Sequence, residues 1–409
     1  MSIASDNAFV TNELATAVAV RAAENMSFAL VGSSKYFAGQ ITGKNNGQKY
    51  KFYVRDTGDA VNRLAYQDGD KVTLVERAVE LSLEPWHVMI KTNAIEGVTD
   101  VENWADEIAR PNSVKLAQGM VKKVINENIG KAATAFIGSG FTPLSQASAH
   151  VASVANGDIY GFCAPQIEAI LTSNGQQFVP VNAPDMYSKG LLGRFHGAEY
   201  RAQRFFPTVV ISEAASTALN SAIVSNAAVD SEDSTKWNLT LSGASVSGIS
   251  ISRGTPLFIE GVVACDIVGD PTDAEQVFVV LEGVNATADT VVVKVEAKDI
   301  KKGGTREVCA EDGTSFSAVS VLADKAIKAP EAGKYYIAQL RVDGAMEFET
   351  LDKLDAAGAQ YQKSPEVDGL TIHQNRLVDL KAMTDDTRWD VVTLAGIVEP
   401  RGVALAYIK

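Results

Sequence analysis

The hydrophobic pattern changes period several times along the chain, and each change marks an element. Residues 11–31, TNELATAVAVRAAENMSFALV, are alanine-rich and apolar on several sides. With Thr11 or Asn12 as N-cap and Glu13 in the first turn, they predict a helical arm that needs a surface to lie against. Lys49–Val54 and Lys71–Leu83 read as strands, and Asn46-Gly47 is a turn signal. Arg55–Asp70, between the strands, is polar and has too few apolar side chains for a core of its own. A two-stranded ribbon is marginal in water by itself. The stretch is therefore either a loose surface hairpin or an arm that orders on a neighbouring subunit.

Farther on, Val114, Ala117, Val121, Val124, Ala132 and Phe136 recur at helical spacing, while Lys115, Gln118, Lys122 and Asn126 fall mostly elsewhere. This predicts one amphipathic helix of roughly 25 residues, ~37 Å long. Pro111 ends or bends a short helix before it, and Asn112 or Ser113 can cap it. Gly119 and Gly130 each cost about 1 kcal/mol against Ala, but a glycine also lets another element come close. Gly138–Asn156 is rich in Gly, Ser and Ala and reads as a connector. Asp158–Ala164 reads as a strand, with Pro165 opening the helix PQIEAILTSN. Lys189–Phe206 reads as turn, strand and loop, and Pro207–Ser212 as a strand.

Near residue 222 the texture becomes β-rich. NLTLSG, VSGISIS, PLFIEGVVA, QVFVVLEG, TVVVKVEA, EVCAE and AVSVL are separated by Gly, Asp, Asn and Thr, the spacing of a barrel or sandwich. Beyond Pro330 the earlier mixed texture resumes with the strand KYYIAQLRV, a short helix in TLDKLDAAGAQY, and strands in DGLTIHQNRLVDL, RWDVVTLAGIV and GVALAYIK. The chain's last residues, GIVEPRGVALAYIK, are apolar where chain ends are usually polar and loose. The pattern implies an insertion. The chain leaves a mixed domain near residue 222, builds the β-rich segment, and returns to close the first domain with a central terminal strand.

Composition narrows the class. The 409 residues are 46% hydrophobic and 21% charged, a soluble composition with room for two or three domains. No apolar run approaches a membrane span. The first residues lack a basic n-region, so a chain made in a reducing cytosol is expected. Cys163, Cys265 and Cys309 are odd in number and in no CxxC pair, which argues for buried thiols over a disulfide framework or zinc site. A formal net charge of −13 argues against a basic nucleic-acid-binding face, though not against a wall around nucleic acid.

Candidate chemistry is sparse, and no cofactor or metal is expected. His87, His150, His196 and His373 show no metal-ligand spacing and no HExxH. Gly138-Ser139-Gly140 lacks the third glycine of a dinucleotide loop and reads as a flexible helix exit; the Walker pattern is absent. GASVSG, Gly243 to Gly248, misses GxSxG and has no strand–elbow–helix context, so it reads as a β-turn. Trp86, Trp104, Trp237 and Trp389 are too scattered for a base-stacking platform. Asp266, Asp270, Asp273 and Glu275 form an acidic loop, read as solvated acids rather than a calcium loop. Lys301-Lys302-Gly303-Gly304 with Arg306 is a basic hairpin tip, either solvated or meeting an acidic loop on another copy.

The order of parts, with particular stretches, resembles one family. LSLEPWHVMIKT followed by VENWADEIARPNSVKLAQGMVKKVINENIGKAATAF is similar to a hairpin exit and spine helix. IYGFCAPQIEAILTS, GLLGRFHGAEYRAQRFFPTVV, LTLSGASVSGISISRGTPLFIEGV and GLTIHQNRLVDLKAMTDDTRWDVVTLAGIVEPRGVALAYIK resemble, in turn, its strand–proline–helix unit, glycine-punctuated strand, inserted-barrel opening and closing strands. The family is the major capsid (coat) proteins of tailed double-stranded DNA bacteriophages, in particular the short-tailed-phage subgroup with an inserted β-barrel domain.

The resemblance implies an α+β fold: N-terminal arm 1–45, extended hairpin loop 46–85, peripheral domain with spine helix 86–145, and axial α/β domain 146–222. An inserted small β-barrel domain 223–332 and a return to the peripheral and axial core 333–409 follow. It implies a non-enzymatic subunit that self-assembles as pentamers and hexamers into an icosahedral shell around packaged DNA, with a scaffolding protein and a portal protein as partners. Localisation would be the virion, after synthesis in the host bacterial cytoplasm, with no membrane. Subunit-interface candidates are Arg55, Arg63, Tyr66 and Asp70 in the hairpin, and Asp270, Asp273, Lys301, Lys302 and Arg306 in the insert. Some relatives crosslink a hairpin Lys to an Asn; Lys44, Lys49 and Lys51 lie near the hairpin, but no activating acid is apparent and no crosslink is expected. Two other classes compete. A surface or tail-associated β-rich binding protein explains the insert but not the long helix. A hydrolase lacks its nucleophile elbow and clustered His.

Overall fold

The computed structural model describes residues 3–35, 49–55, 76–93, 101–173, 191–300, 306–352, 361–379 and 384–409. The helices are α1 (Ile3–Asn25), α2 (Ser27–Leu30), α3 (Val101–Asn128), α4 (Thr142–Val154), α5 (Pro165–Ser173) and α6 (Glu213–Asn220). Strands of three or more residues begin with β1 (Lys49–Arg55), β2 (Glu76–Asn93), β3 (Thr134–Gly138), β4 (Ile159–Cys163), β5 (Leu191–Phe195), β6 (Ala198–Ala202) and β7 (Val209–Ile211). The β-rich stretch holds β8 (Ile223–Val229), β9 (Lys236–Ser242), β10 (Pro256–Cys265), β11 (Pro271–Val279), β12 (Thr290–Glu296) and β13 (Val308–Ala310). The rest are β14 (Gly333–Val342), β15 (Met346–Thr350), β16 (Tyr361–Lys363), β17 (His373–Asp379), β18 (Thr384–Ile397) and β19 (Val403–Ile408). The chain divides into two units, 1–51, 80–124 and 346–396 in one and 52–79, 125–345 and 397–409 in the other.

In the first unit, β15, β18, β17 and β16 are neighbours in order, and β2 pairs with both β1 and β18. β2 is antiparallel to β18 from Leu83 opposite Leu394 to Asn93 opposite Thr384. α1 lies on β16 and β17. Its buried face is Leu14, Ala15, Val18, Ala19, Ala22 and Ala23, the surface the alanine-rich pattern required. The helix starts earlier than predicted, so Thr11 and Asn12 are interior rather than caps, and it breaks at Met26 before the short α2.

α3 corrects the spine-helix reading. Pro111 lies inside one continuous helix of 28 residues, and Ser113, rather than capping a new helix, donates its hydroxyl to the Arg110 carbonyl at 3.0 Å. Pro111 and Glu107, whose carbonyl loses its helical partner, are both exposed, so the proline sits where the lost bond costs least. The helix ends at Asn128 and passes through a 3-10 turn, so Ala132 lies beyond it and Phe136 lies in β3. The expectation of close approach at glycine holds. A Cβ at Gly119 would stand 3.3 Å from the Trp86 ring, and one at Gly130 would stand 2.7 Å from Leu281.

The second unit is built on an 11-stranded sheet with main order β13-β10-β11-β3-β19-β14-β4-β6-β5. β19 is parallel to β3 and antiparallel to β14, and every one of its residues is buried. The apolar C-terminal stretch is therefore a central strand, as its pattern predicts. Gly138–Asn156 is a strand end and a helix, not a connector. α4 packs on β19, β14 and β3 through Leu144, Ala147, Val151 and Val154, and its Ala and Ser positions mask that stripe in the sequence. Gly138-Ser139-Gly140 is a strand-to-helix turn, with Gly140 at φ 64.

Residues 223–332 fall in this same unit. Their pairings form an open sheet β12-β9-β8 and the β13-β10-β11 end of the large sheet, and no described pairing closes a ring. A single pairing, Gln276 opposite Thr134, joins this end to β3. AVSVL is a 3-10 turn at Val319–Leu322 rather than a strand, and VSGISIS keeps only Ser250–Ile251 extended. Most of the predicted helix in TLDKLDAAGAQY lies outside the described residues. Among the described residues no helix is long and apolar enough to cross a membrane.

Candidate functional site

The acidic loop is shaped by its own first carboxylate. One oxygen of Asp266 accepts from the backbone N–H groups of Val268, Gly269 and Asp270, each at 2.9 Å. Asp270 and Asp273 are exposed. Ile267 and Val268 at the tip are also exposed, 38% and 39%, an apolar pair that charge patterning does not reveal.

Arg306 corrects the reading of the basic tip. It is buried, and it holds the acidic loop of its own chain. Nε donates to the Gly269 carbonyl at 2.9 Å, Nη2 donates to the same oxygen, and Nη1 reaches Gly313 O at 3.0 Å and Ser315 Oγ at 2.8 Å. A guanidinium fork is suited to such multiple acceptors. The pairing of basic and acidic segments is thus within one chain at this residue, with the Arg306 side chain buried. Lys301 and Lys302 lie outside the described residues, as do Arg63, Tyr66 and Asp70; Arg55 ends β1.

Three further polar residues tie this unit together and escape a reading by motif. Arg401 makes a two-point contact with Glu399, at 2.6 and 2.7 Å, and donates to the Asp266 carbonyl at 3.2 Å. Burial works to lower the Arg401 pKa, and Glu399 reverses this to a net rise. Lys298, 5% exposed, donates to the carbonyls of Gly130 at 3.1 Å and Ala132 at 2.9 Å. It thereby caps the open carbonyls that follow α3. Arg253 donates to Asn126 O at 2.9 Å. In sequence, the signal is a cation beside a turn or strand end, which is too common to single out.

The histidines stand in separate places. His87 is exposed on β2; His196 has φ 47 in the β5–β6 turn; His373 sits 2.7 Å from Leu351 O and 2.8 Å from Ser364 Oγ. His150 is buried in α4 beside Phe136, and burial lowers its pKa to about 4. Among the described residues no group of three metal-capable side chains converges.

No protein-family model matches the sequence, and no curated protein does. Among solved structures, the head structure of Helicobacter pylori bacteriophage KHP40 aligns at TM-score 0.44 and 7% identity, over 94% of this chain and 88% of that one. The capsid of Ralstonia phage GP4 aligns at TM-score 0.43 and 8% identity, over 92% of each chain. A chain of Mycobacterium phage Che8 aligns at 0.41 and 10%, over 92% of this chain and 89% of that one.

Proposed function

We propose that the chain is a structural shell subunit, a major capsid protein of the tailed-phage type. The observation that carries the reading is the 18-residue β2, reached from β1 through a polar stretch that cannot build its own core. Strands average about 5–6 residues, and an element this long, fed by a coreless ribbon, suits a lap over a neighbouring subunit. The 28-residue α3 and the return of the chain to a central β19 fit the same plan.

In this reading copies assemble as pentamers and hexamers into an icosahedral shell, guided by a scaffolding protein and a portal, and enclose double-stranded DNA without reading its sequence. The finer assignments belong to the same proposal: the short-tailed-phage subgroup, the domain limits, residues 223–332 as an inserted barrel-like domain on the shell, and Arg55, Arg63, Tyr66, Asp70, Asp270, Asp273, Lys301 and Lys302 as interface residues. So do synthesis in the host cytoplasm and residence in the virion. Many weak contacts suffice, because closure of the shell makes them act together.

Negative-stain electron microscopy of the purified chain, alone and co-expressed with a scaffolding protein, tests the reading. Closed shells, tubes or spirals support it; a uniform single-subunit particle under both conditions overturns it. Replacing Arg55–Asp70 with a short Gly/Ser turn should leave a folded chain that no longer closes shells, and normal shells from that variant would remove the arm from the proposal.

A further inference from the structure

We propose that Cys265 and Cys309 form a redox-active dithiol that closes into an intrachain disulfide when a small peroxide reaches it. The inference rests on local geometry and is independent of the shell reading. The two residues are 44 positions apart, and their spacing gives no hint of a pair. β10 and β13 bring them together: Val263 lies opposite Cys309 and Ala264 opposite Val308. Cys265 then shares a face with Cys309, and the two sulfurs sit 3.3 Å apart in a buried cluster with Val263. Both are free thiols.

Their surroundings favour a thiolate on one of them. Arg306, anchored on Gly269, precedes Cys309 by three residues, and Arg401 is fixed on the carbonyl of Asp266, next to Cys265. The Cys265 S–H donates to the Cys309 sulfur and, against burial and with help from Arg306, lowers Cys309 to about 7; Cys265 moves the other way. Cationic neighbours and a donated hydrogen bond are what turn a cysteine nucleophilic. Cys163 is the contrast: it is buried in β4, and burial alone raises its pKa.

The chemistry balances. The Cys309 thiolate attacks one oxygen of hydrogen peroxide, the O–O bond breaks, and hydroxide leaves, giving a sulfenic acid on Cys309. The Cys265 sulfur attacks that sulfur and displaces a second hydroxide. The two thiol protons convert the hydroxides to water. One S–S bond replaces two S–H bonds, the cysteines are oxidised and the peroxide is reduced. Burial selects a small uncharged oxidant, and β13 ends the strand order, so opening of this edge strand gives access.

The test treats the folded full-length chain with hydrogen peroxide, quenches it, alkylates with iodoacetamide in denaturant, and maps peptides by mass. The expected result is a Cys265–Cys309 cross-linked species two hydrogens lighter than its parts and restored by dithiothreitol. Cys163 should stay alkylated, and the unfolding midpoint should rise as the unfolded chain is cross-linked. Met89, 59% exposed, reports by its sulfoxide that the oxidant acted. If Met89 is oxidised while Cys265 and Cys309 remain as alkylatable as Cys163, or if either links to Cys163 or to another chain, the proposal fails. In Cys309→Ser, Cys265 should resist oxidation; equal oxidation of Cys265 there would overturn the role of Cys309 as attacking sulfur.

Discussion

The Tyr407 hydroxyl donates to the Gly254 carbonyl at 2.8 Å, joining the central β19 to the turn that precedes β10. The pair lies in the buried part of the second unit, where a lost bond is not replaced by water. Tyr407→Phe keeps the ring and leaves the carbonyl unsatisfied. It should lower unfolding stability by about 1–3 kcal/mol, read as a shift of the urea midpoint at constant slope. An unmoved midpoint would show that the contact contributes nothing.

Gly161 in β4 is required by a neighbour rather than by a turn. It stands opposite Tyr200 in β6, and a Cβ there would fall 2.5 Å from a ring carbon of that buried tyrosine. The ring covers the missing side chain, a known use of glycine inside a strand. Gly161→Ala should therefore cost about 1–3 kcal/mol by overpacking. Adding Tyr200→Leu should recover part of that loss, and strict additivity of the two changes would refute the clash.

What could be read in advance follows from contrast in the pattern. β14, β19 and the VVTLAGI half of β18 are largely apolar, and Pro165 opens α5, so these elements are legible in the pattern. α4 is hard to read in the sequence because alanine and serine lower the contrast between its faces, although Leu144, Ala147, Val151 and Val154 keep the spacing. Pro111 reads as a helix break, but the cost of proline in a helix depends on exposure, which one chain's letters do not carry. Every interface candidate except Tyr66 is a charged residue, and charge is what tertiary structure reassigns. Arg306 reads as part of a solvated tip, yet its side chain donates to the Gly269 carbonyl of its own chain. The Cys265–Cys309 contact depends wholly on strand register, so spacing could not reveal it.

Arg306 has a measurable role in the fold of the chain itself. Its fork serves three acceptors, which the lysine ammonium cannot match from one point. Arg306→Lys should lower the stability of the isolated chain by about 1–3 kcal/mol, measured by chemical denaturation. A lysine variant that unfolds like the original would show that the fork contributes nothing to the fold.

His150 predicts an acid-sensitive fold. Unfolded, it binds a proton near its ordinary 6.5; folded, burial holds it to about 4. Between those values the unfolded chain binds the extra proton. The stability is thus fully present above about pH 6.5, falls as pH drops, and levels off below about 4. The full span is about 3 kcal/mol at the conversion of one pKa unit. His373, lowered chiefly by burial, adds in the same direction. His150→Phe should flatten the stability–pH curve in this window. Parallel curves for the two proteins would assign the acid sensitivity elsewhere.

Removal of Gly402–Lys409 is the severest of these changes. Val403 to Ile408 pair with β3 on one side and β14 on the other, from Ala404 opposite Thr134 and from Val403 opposite Arg341. Their loss leaves two buried ladders without a partner and opens the floor under α4. Val403, Leu405 and Ile408 are each buried, and each such side chain is worth about 1.5–3 kcal/mol. With Tyr407 added, the loss reaches the about 5–15 kcal/mol that holds a typical domain folded. The truncated chain should therefore be insoluble or melt without a cooperative transition, followed by circular dichroism. A soluble truncation with a sharp melt would mean that the second unit folds without its central strand, and the return of the chain to close that unit would lose its structural meaning.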